Sequence, residues 1–379
     1  MSPPVPVPRY GEASLADVMP SMLAALGVRG AANTLDLPAT PRACVLVIDG
    51  LGLEQLRDQP DTAPYLSSLL PDALTLTAGF PATTAASLGS LGTGLPPGEH
   101  GLVGYLVAVP GEGRLMNSLR WDDGVDPVAW QPRTTVFERA MAGGVVASQV
   151  AAGVFKRSGL TRATMRGGRY VAADSAGELV AGAAAALRAD DRALAYVYYP
   201  DLDATGHRVG CGSEAWRFQL AHVDRLAEQL ASVLPPDAVL YITADHGMVD
   251  VLPDRRVDAD AVPELREGVT LLGGEARARH VYTRRAATPD VLAAWREVLG
   301  DRMWVVAREE ATAAGWFGSE VSDEVVPRIG DVIATAHDDV AVVATRTEPR
   351  ESTVVGMHGS MTSTEQLVPL LRVVGSRAH

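Results

Sequence analysis

The 379-residue chain is 47% hydrophobic and 21% charged, ordinary for a globular protein with room for one large domain or two average ones. Its net charge of −13 and the lack of any long Lys/Arg run argue against duplex nucleic acid as a partner, while a small anion stays possible beside a local cation. The opening MSPPVPVPRYGE has no basic segment followed by an apolar one, no stretch of about 18 apolar residues follows, and Cys44 and Cys211 make neither a disulfide framework nor a zinc-finger spacing; the expectation is a soluble cytoplasmic protein off the membrane, a monomer or small homo-oligomer.

The first ten residues are Pro-rich and read as a loose arm. ACVLVI (43–48) is a buried strand without alternation, as parallel strands are, and LAYVYY (194–199) and AVLYIT (238–243) look the same. ALTLTAGF (73–80) is another apolar run, followed by PATT and a series of small residues to Gly94. AGELVAGAAAALR (176–188) reads as a helix. SEAWRFQLAHVDRLAEQLASVL (213–234) reads as a longer one, with Trp216, Leu220, Val223, Ala227 and Leu230 at helical spacing. Strand–helix alternation predicts an α/β fold, a central, mostly parallel sheet flanked by helices. HVYTR, TPDVLAAWREVLG and RMWVVA give a compact strand–helix–strand unit, expected to be a small inserted α+β lid over 268–325, with the core in 1–267 and 326–379. GDVIATAHDDVAVVAT (330–345) returns to strand pattern, and EQLVPLL (365–371) reads as a short C-terminal helix.

In open α/β sheets ligands bind beyond the carboxyl ends of the strands. ACVLVI is followed by Asp49-Gly50, LAYVYY by PDLDATGH with Asp201, Asp203 and His207, and AVLYIT by Asp245-His246-Gly247; His358 comes later in GMHGS. Singly, each has a plain structural reading: an Asp-Gly turn, a solvated loop pair, a packed histidine. Together they put carboxylates at three strand ends, with histidine at two and a hydroxyl at Thr83 or Thr84 nearby. Asp and His without Cys suit zinc, manganese or iron at a hydrolytic site. Six ligands and one bridging hydroxyl would serve two divalent ions, three groups each, and a metal-bound threonine is a competent nucleophile at phosphorus, with the small residues after it making room for an ester.

These residues resemble the alkaline phosphatase superfamily, most closely its nucleotide pyrophosphatase/phosphodiesterase branch. The shared blocks are VLVIDG (45–50), FPATT…GTGLPPGEHGLVGY (80–105), DLDATGH (201–207), TADHGM (243–248) and GMHG (356–359), in the family's order. The resemblance implies an alkaline-phosphatase-like fold and two divalent metals, zinc or manganese. One would be held by Asp49, Asp245, His246 and the nucleophile, the other by Asp203, His207 and His358. In the family the nucleophile stands nine residues before the Thr of a Thr-Gly pair, and counting back from Thr93-Gly94 gives Thr84; Thr83 would then cap the following helix.

Two departures stand out. Ala86-Ser87-Leu88 replaces the Pro-Asn-His of many family diesterases, and Tyr105 takes the place of an Asn that helps to hold a phosphate oxygen. A phenol still donates one hydrogen bond. The block is similar to shorter actinobacterial-type relatives, some of which act on cyclic or linear dinucleotides. The expected function is therefore hydrolysis of a small nucleotide diester, such as c-di-AMP or pApA to AMP. Alternatives on the same core are phosphate monoester or phosphonate hydrolysis and phosphosugar mutation; a non-enzymatic metal or nucleotide binder would need no hydroxyl at Thr84. A dianionic monoester needs an added cation, and none occurs between Phe80 and Gly113, which favours the diester. His100 reads as a structural loop residue and His222 as packed or solvated. Arg277, Arg279 and His280, at the edge of the expected lid, are candidates for meeting a phosphate or base.

Overall fold

A computed structural model describes residues 6–376. Its centre is a seven-stranded sheet in the order Leu74–Thr77, Leu367–Val374, Ala238–Thr243, Arg42–Ile48, Ala193–Tyr199, Val146–Ala151, Arg169–Ala172. Arg42–Ile48 pairs parallel with a neighbour on each side, and Ala43 to Ile48 are wholly buried, which is why this segment is apolar without alternation. Leu367–Val374 runs against both of its neighbours, and the other strands of this sheet pair in parallel. Helices cover the faces. Glu214–Ser232 buries Trp216, Leu220, Val223, Leu226, Ala227 and Leu230 as its periodicity predicts, and Ala176–Leu187, capped by Ser175, packs on Ala193–Tyr199 and Val146–Ala151.

A second, four-stranded antiparallel sheet runs Val269–Glu275, Ala278–Thr283, Val332–Ala336, Met303–Ala307. The helix Thr288–Leu299 buries Val291, Trp295 and Leu299 in a hydrophobic cluster separate from the main core. This sheet takes in Val332–Ala336 and so runs past the expected boundary at 325. The 268–325 segment is also tied to the main core: Trp316 and Phe317 meet the ring of Phe80 edge-on at 5.1 and 5.2 Å.

Two expectations need correction. EQLVPLL is not a helix; only Ser363–Gln366 is helical, and Leu367–Val374 is a strand inside the main sheet. Its first half pairs with Leu74–Thr77 and its second with Ala238–Thr243, so Pro369, which has no N–H to give, lies where pairing is one-sided. Burial between two strands overrides the helical reading of so short a run. The expected loose arm is also wrong where it can be judged. Residues 1–5 lie outside the described residues, but the Arg9 amide donates to Thr77 Oγ1 at 2.9 Å and the Tyr10 hydroxyl accepts from the Phe80 amide at 2.9 Å.

Candidate active site

The carboxyl ends of the central strands deliver the expected groups to one place. Asp49 directly follows Arg42–Ile48 and its amide donates to Tyr199 O at 3.0 Å. Gly50 then turns with φ +78°, and a Cβ there would sit 2.9 Å from Asp203 Cβ, so the Asp-Gly pair both reverses the chain and lets Asp203 approach. Asp203 and His207 lie one turn apart on the helix Asp201–Val209 that follows Ala193–Tyr199. Asp245 and His246 follow Ala238–Thr243, and His358 follows Gly356–Met357, which is paired with Val249–Asp250.

Two donor groups result. Asp49, Asp245 and His246 offer ligand atoms all within 4.8 Å of one another, and Asp203, His207 and His358 do the same. His246 Nε2 is 3.5 Å from both Asp49 Oδ1 and Asp245 Oδ2, and His207 Nε2 is 3.3 Å from Asp203 Oδ2. The groups adjoin: the His246 and His358 rings stack at 3.7 Å, and His358 Nε2 is 3.9 Å from Asp203 Oδ1.

The chemistry of the set fits divalent cations. Asp49 Oδ1, Asp203 Oδ1 and Asp245 Oδ2 are buried with no hydrogen-bond partner among the described residues. Burial first, then the charges of Asp245 and Asp203, push the Asp49 carboxyl well above its usual range. A cation removes both costs. Each histidine ring places Nδ1 against a backbone oxygen: His207 on Gly356 O at 2.7 Å, His358 on Ala82 O at 2.9 Å and His246 on Gly247 O at 3.1 Å. With Nδ1 protonated, each Nε2 is a free lone pair turned toward the carboxylates, the orientation that outer hydrogen bonds impose on metal-binding imidazoles. Burial, followed by the neighbouring His246 and His207, holds His358 well below the ordinary imidazole range, in the neutral form a ligand needs.

Thr84 is the first residue of the helix Thr84–Thr93, and its Oγ1 lies 3.4 Å from His246 Nε2. The unsatisfied amides and the positive end of the helix dipole therefore point at this hydroxyl and favour negative charge there. Ser87 Oγ donates to Asp245 O at 2.7 Å and ties the helix to the Asp245–His246 loop. The small residues that follow do something other than make room for an ester. The whole helix is buried; a Cβ on Gly89 would sit 2.5 Å from His100 and one on Gly92 2.0 Å from Thr164 O. They let neighbouring segments approach the helix closely. Thr83 stands at the N-cap position but makes no side-chain cap; its hydroxyl faces the Glu275 carboxyl instead and lowers that group's pKa. His100 is structural as expected: buried, within 3.2 Å of Ser90 Oγ and accepting from the Leu102 amide at 3.1 Å.

Two cavities meet at Thr84, Leu119 and Asp203. One, of about 330 Å³, has the polar side chains of Tyr105, Arg120, Glu275, Glu348, Arg350 and Glu351 in its wall among apolar surface from Leu119, Val354 and Met357. The other, of about 220 Å³, is bounded by Phe155, Tyr196, Tyr198, Leu88 and Met165, with Gln149 as a polar group. Tyr105 is held by its amide on Glu275 Oε1 at 2.9 Å and by its hydroxyl on Glu351 Oε1 at 3.2 Å.

Arg277, Arg279 and His280 are not at a lid surface, because they belong to the interior strand Ala278–Thr283 and the residue before it. Arg277 is fully buried and bidentate with Glu365, both contacts at 2.8 Å; Arg279 donates to Glu348 Oε1 at 3.0 Å and to Val342 O at 2.8 Å. His280 accepts from the Gly330 amide at 3.0 Å, and burial pulls its pKa down to about 3. None of the three is among the described residues that line either cavity. Arg279 reaches the Tyr105 cavity only through Glu348. The residues missed in the sequence are Arg120, Arg350, Glu275 and Phe155, all outside the motif windows. Tyr198, beside them, sits in an apolar run whose side chains look like core, and its hydroxyl donates to Asp49 Oδ2.

The Type I phosphodiesterase / nucleotide pyrophosphatase family model matches residues 43–361. No curated protein matches the sequence. Murine ectonucleotide pyrophosphatase/phosphodiesterase 5, solved as an inactive threonine-to-alanine variant in complex with AMP, is similar at 18% identity over 87% of each chain, with a TM-score of 0.69. Its human counterpart gives 17% identity, 87% of each chain and 0.68. Phosphonoacetate hydrolase from Sinorhizobium meliloti 1021, in complex with phosphonoacetate, gives 17% identity, 88% of this chain, 90% of the other and 0.67. At these identities the likeness is one of fold, the α/β arrangement of the alkaline phosphatase superfamily.

Proposed function

Because the chain belongs to the Type I phosphodiesterase / nucleotide pyrophosphatase family, a metal-dependent group of phosphoester hydrolases, we propose that it cleaves a nucleotide phosphodiester with Thr84 as the nucleophile and two divalent cations, zinc or manganese, held by Asp49, Asp245, His246 and Thr84 and by Asp203, His207 and His358. The observation that carries this reading is the placing of Thr84 at a helix N-terminus, 3.4 Å from His246, at the junction of two cavities, one with charged side chains in its wall and the other with aromatic rings. A diester carries an organic group on each side of phosphorus. The aromatic cavity suits a base, stacked on Phe155 or Tyr198 and reached by Gln149, while the cavity with charged side chains suits a second sugar-phosphate. A di-adenosine compound, linear or cyclic, fills both.

The bound cations would lower the pKa of the Thr84 hydroxyl and offset the charge gathering on the phosphoryl oxygens. Thr84 Oγ1 forms the new bond to phosphorus, the opposite ester oxygen leaves as an alcohol or phosphate, and water later frees the threonine. The helix N-terminus favours the charged form of Thr84, and Tyr105 stands on the cavity wall where its ring can pack on substrate. The inactive threonine-to-alanine variant of the murine neighbour accords with a threonine nucleophile.

Arg120 and Arg350 favour a second reading. Both are exposed on the wall of the Tyr105 cavity, so cations are available for a dianionic monoester or phosphonate after all, and one neighbour was solved with phosphonoacetate. A single panel separates the two: bis- and mono-p-nitrophenyl phosphate, phosphonoacetate, and linear and cyclic di-adenosine substrates, under zinc and under manganese. The diester reading expects kcat/KM for a dinucleotide to lead the panel. A monoester or phosphonate turned over faster than every diester overturns it.

A further inference from the structure

A third cavity lies far from Thr84. Its volume is about 500 Å³, and it is lined by the loop after the helix Leu15–Ala25 (Gly27 to Ala31), by the end of the helix Val136–Ala142, and by Arg192 just before the strand Ala193–Tyr199. This is the amino edge of the parallel strands. Asp49, Asp203 and Asp245 follow their carboxyl ends, one strand length or roughly 20 Å away.

Its charge is opposite to that of the protein. In a chain of net charge −13, the lining holds Arg29, Arg139 and Arg192 and neither Asp nor Glu. Arg192 is fixed, donating from Nε to Leu26 O at 3.1 Å and from Nη1 to Gly143 O at 3.0 Å; these carbonyls orient its charge without cancelling it. Arg139 is the anomaly. Its Nε and Nη2 are buried with no acceptor, and among the described residues no carboxylate pairs with any of the three arginines. Burial alone depresses the Arg139 pKa. Arg139 is half-buried, and guanidinium nitrogens shut from water without an acceptor are costly and rare in stable proteins. Arg29 is exposed on the Gly27–Ala31 loop and free to fold over whatever occupies the space. Leu23, Val28, Ala31 and Ala142 supply the apolar part of the lining.

We propose that this cavity is a binding site, separate from the catalytic one, for a small phosphate-bearing molecule of about mononucleotide size, with the phosphate on Arg139, Arg192 and Arg29 and its organic body on the apolar lining of Leu23, Val28 and Ala142. Guanidinium forks match phosphate oxygens in pairs, and the volume falls in the ordinary range for small-ligand sites. The inference does not depend on the catalytic reading above, because no turnover enters its test.

The test is calorimetric titration of the full chain, with divalent metals chelated so that the catalytic cleft is not charged, using inorganic phosphate and AMP as separate probes. One AMP site is expected, tighter than that for phosphate. Arg139→Gln should weaken AMP at least about tenfold, the loss of one charge-assisted contact of roughly 1.5 kcal/mol or more. Arg29→Ala, at an exposed position where folding is not at risk, should weaken it severalfold. Arg120→Ala, in the catalytic cleft, should leave the affinity unchanged. Absence of binding by both probes at millimolar concentration overturns the site, as does an affinity that falls with Arg120→Ala but not with Arg29→Ala. Phosphate bound as tightly as AMP overturns the role of the apolar lining.

Discussion

The carboxyl edge of the seven-stranded sheet and the interior of the four-stranded sheet both bury charge, and they do so in opposite ways. At the first, Asp49, Asp203 and Asp245 each keep a buried oxygen with no partner, crowded against like charges. In the second, Arg277 and Arg279 are buried as deeply, but Glu365 and Glu348 meet them with two contacts each. An ion pair complete in itself is structural. A set of carboxylates left incomplete, with imidazole nitrogens turned toward it, suits a cation. Burial alone therefore does not separate function from scaffold; the state of the partner does.

Substitutions can break this contrast. Thr84→Ala should have the largest effect, lowering kcat by about a thousandfold or more, some 4 kcal/mol of barrier, with little change in melting temperature. A variant that retains turnover within tenfold removes Thr84 as nucleophile. Arg277→Leu strands Glu365, and breaking a buried pair costs about 3–5 kcal/mol of stability. Denaturant unfolding should report that loss, while the folded fraction keeps its kcat; reduced kcat/KM at full stability would return Arg277 to the substrate. His358→Ala should lose one of two bound cations by elemental analysis and roughly a hundredfold in activity, by analogy with losses around metal ligands.

Smaller effects sharpen the boundary between the two regions. Glu275 stands between them: one oxygen holds the Tyr105 amide, the other is buried without a partner, and burial raises its pKa to about 7. A carboxyl whose folded pKa exceeds its unfolded one weakens the fold as pH rises from about 4.5 through 7, because the folded state holds its proton longer. Glu275→Gln should abolish that component, so the stability difference between variant and wild type should grow in the variant's favour across this window; a pH-independent difference counts against it. Thr83→Ala should matter least, about 1 kcal/mol for the lost contact with Glu275, with turnover within a fewfold of wild type. An inactive Thr83→Ala beside an active Thr84→Ala would move the nucleophile by one residue.

The sequence exposes what is local and periodic. Unalternated apolar runs marked the parallel strands, and the polar residues just after them marked where the donor groups gather, because strand ends in an open sheet share one edge. Pairing across long distances is not visible that way. Arg277 reads as a free cation in the sequence because Glu365 lies far along the chain, and the stretch from Phe80 to Gly113 holds no cation although Arg120 and Arg350 stand on the wall of the cavity at Thr84. Leu367–Val374 was misread for the same reason: its neighbours, not its residues, make it a strand.

That strand has a consequence for how the protein is made. Leu74–Thr77 leaves the ribosome early, yet its place in the sheet is beside Leu367–Val374. The turn carrying Thr84 is fastened from the same late stretch: Ala78 N to Gln366 O, Ala82 N to Gly359 O, and Ala82 O to His358. At about 5–20 residues per second, synthesis leaves this region without its fastenings for tens of seconds. The turn at Thr84 and the strand before it thus stay unfastened in the nascent chain until translation has passed His358 and Leu367–Val374.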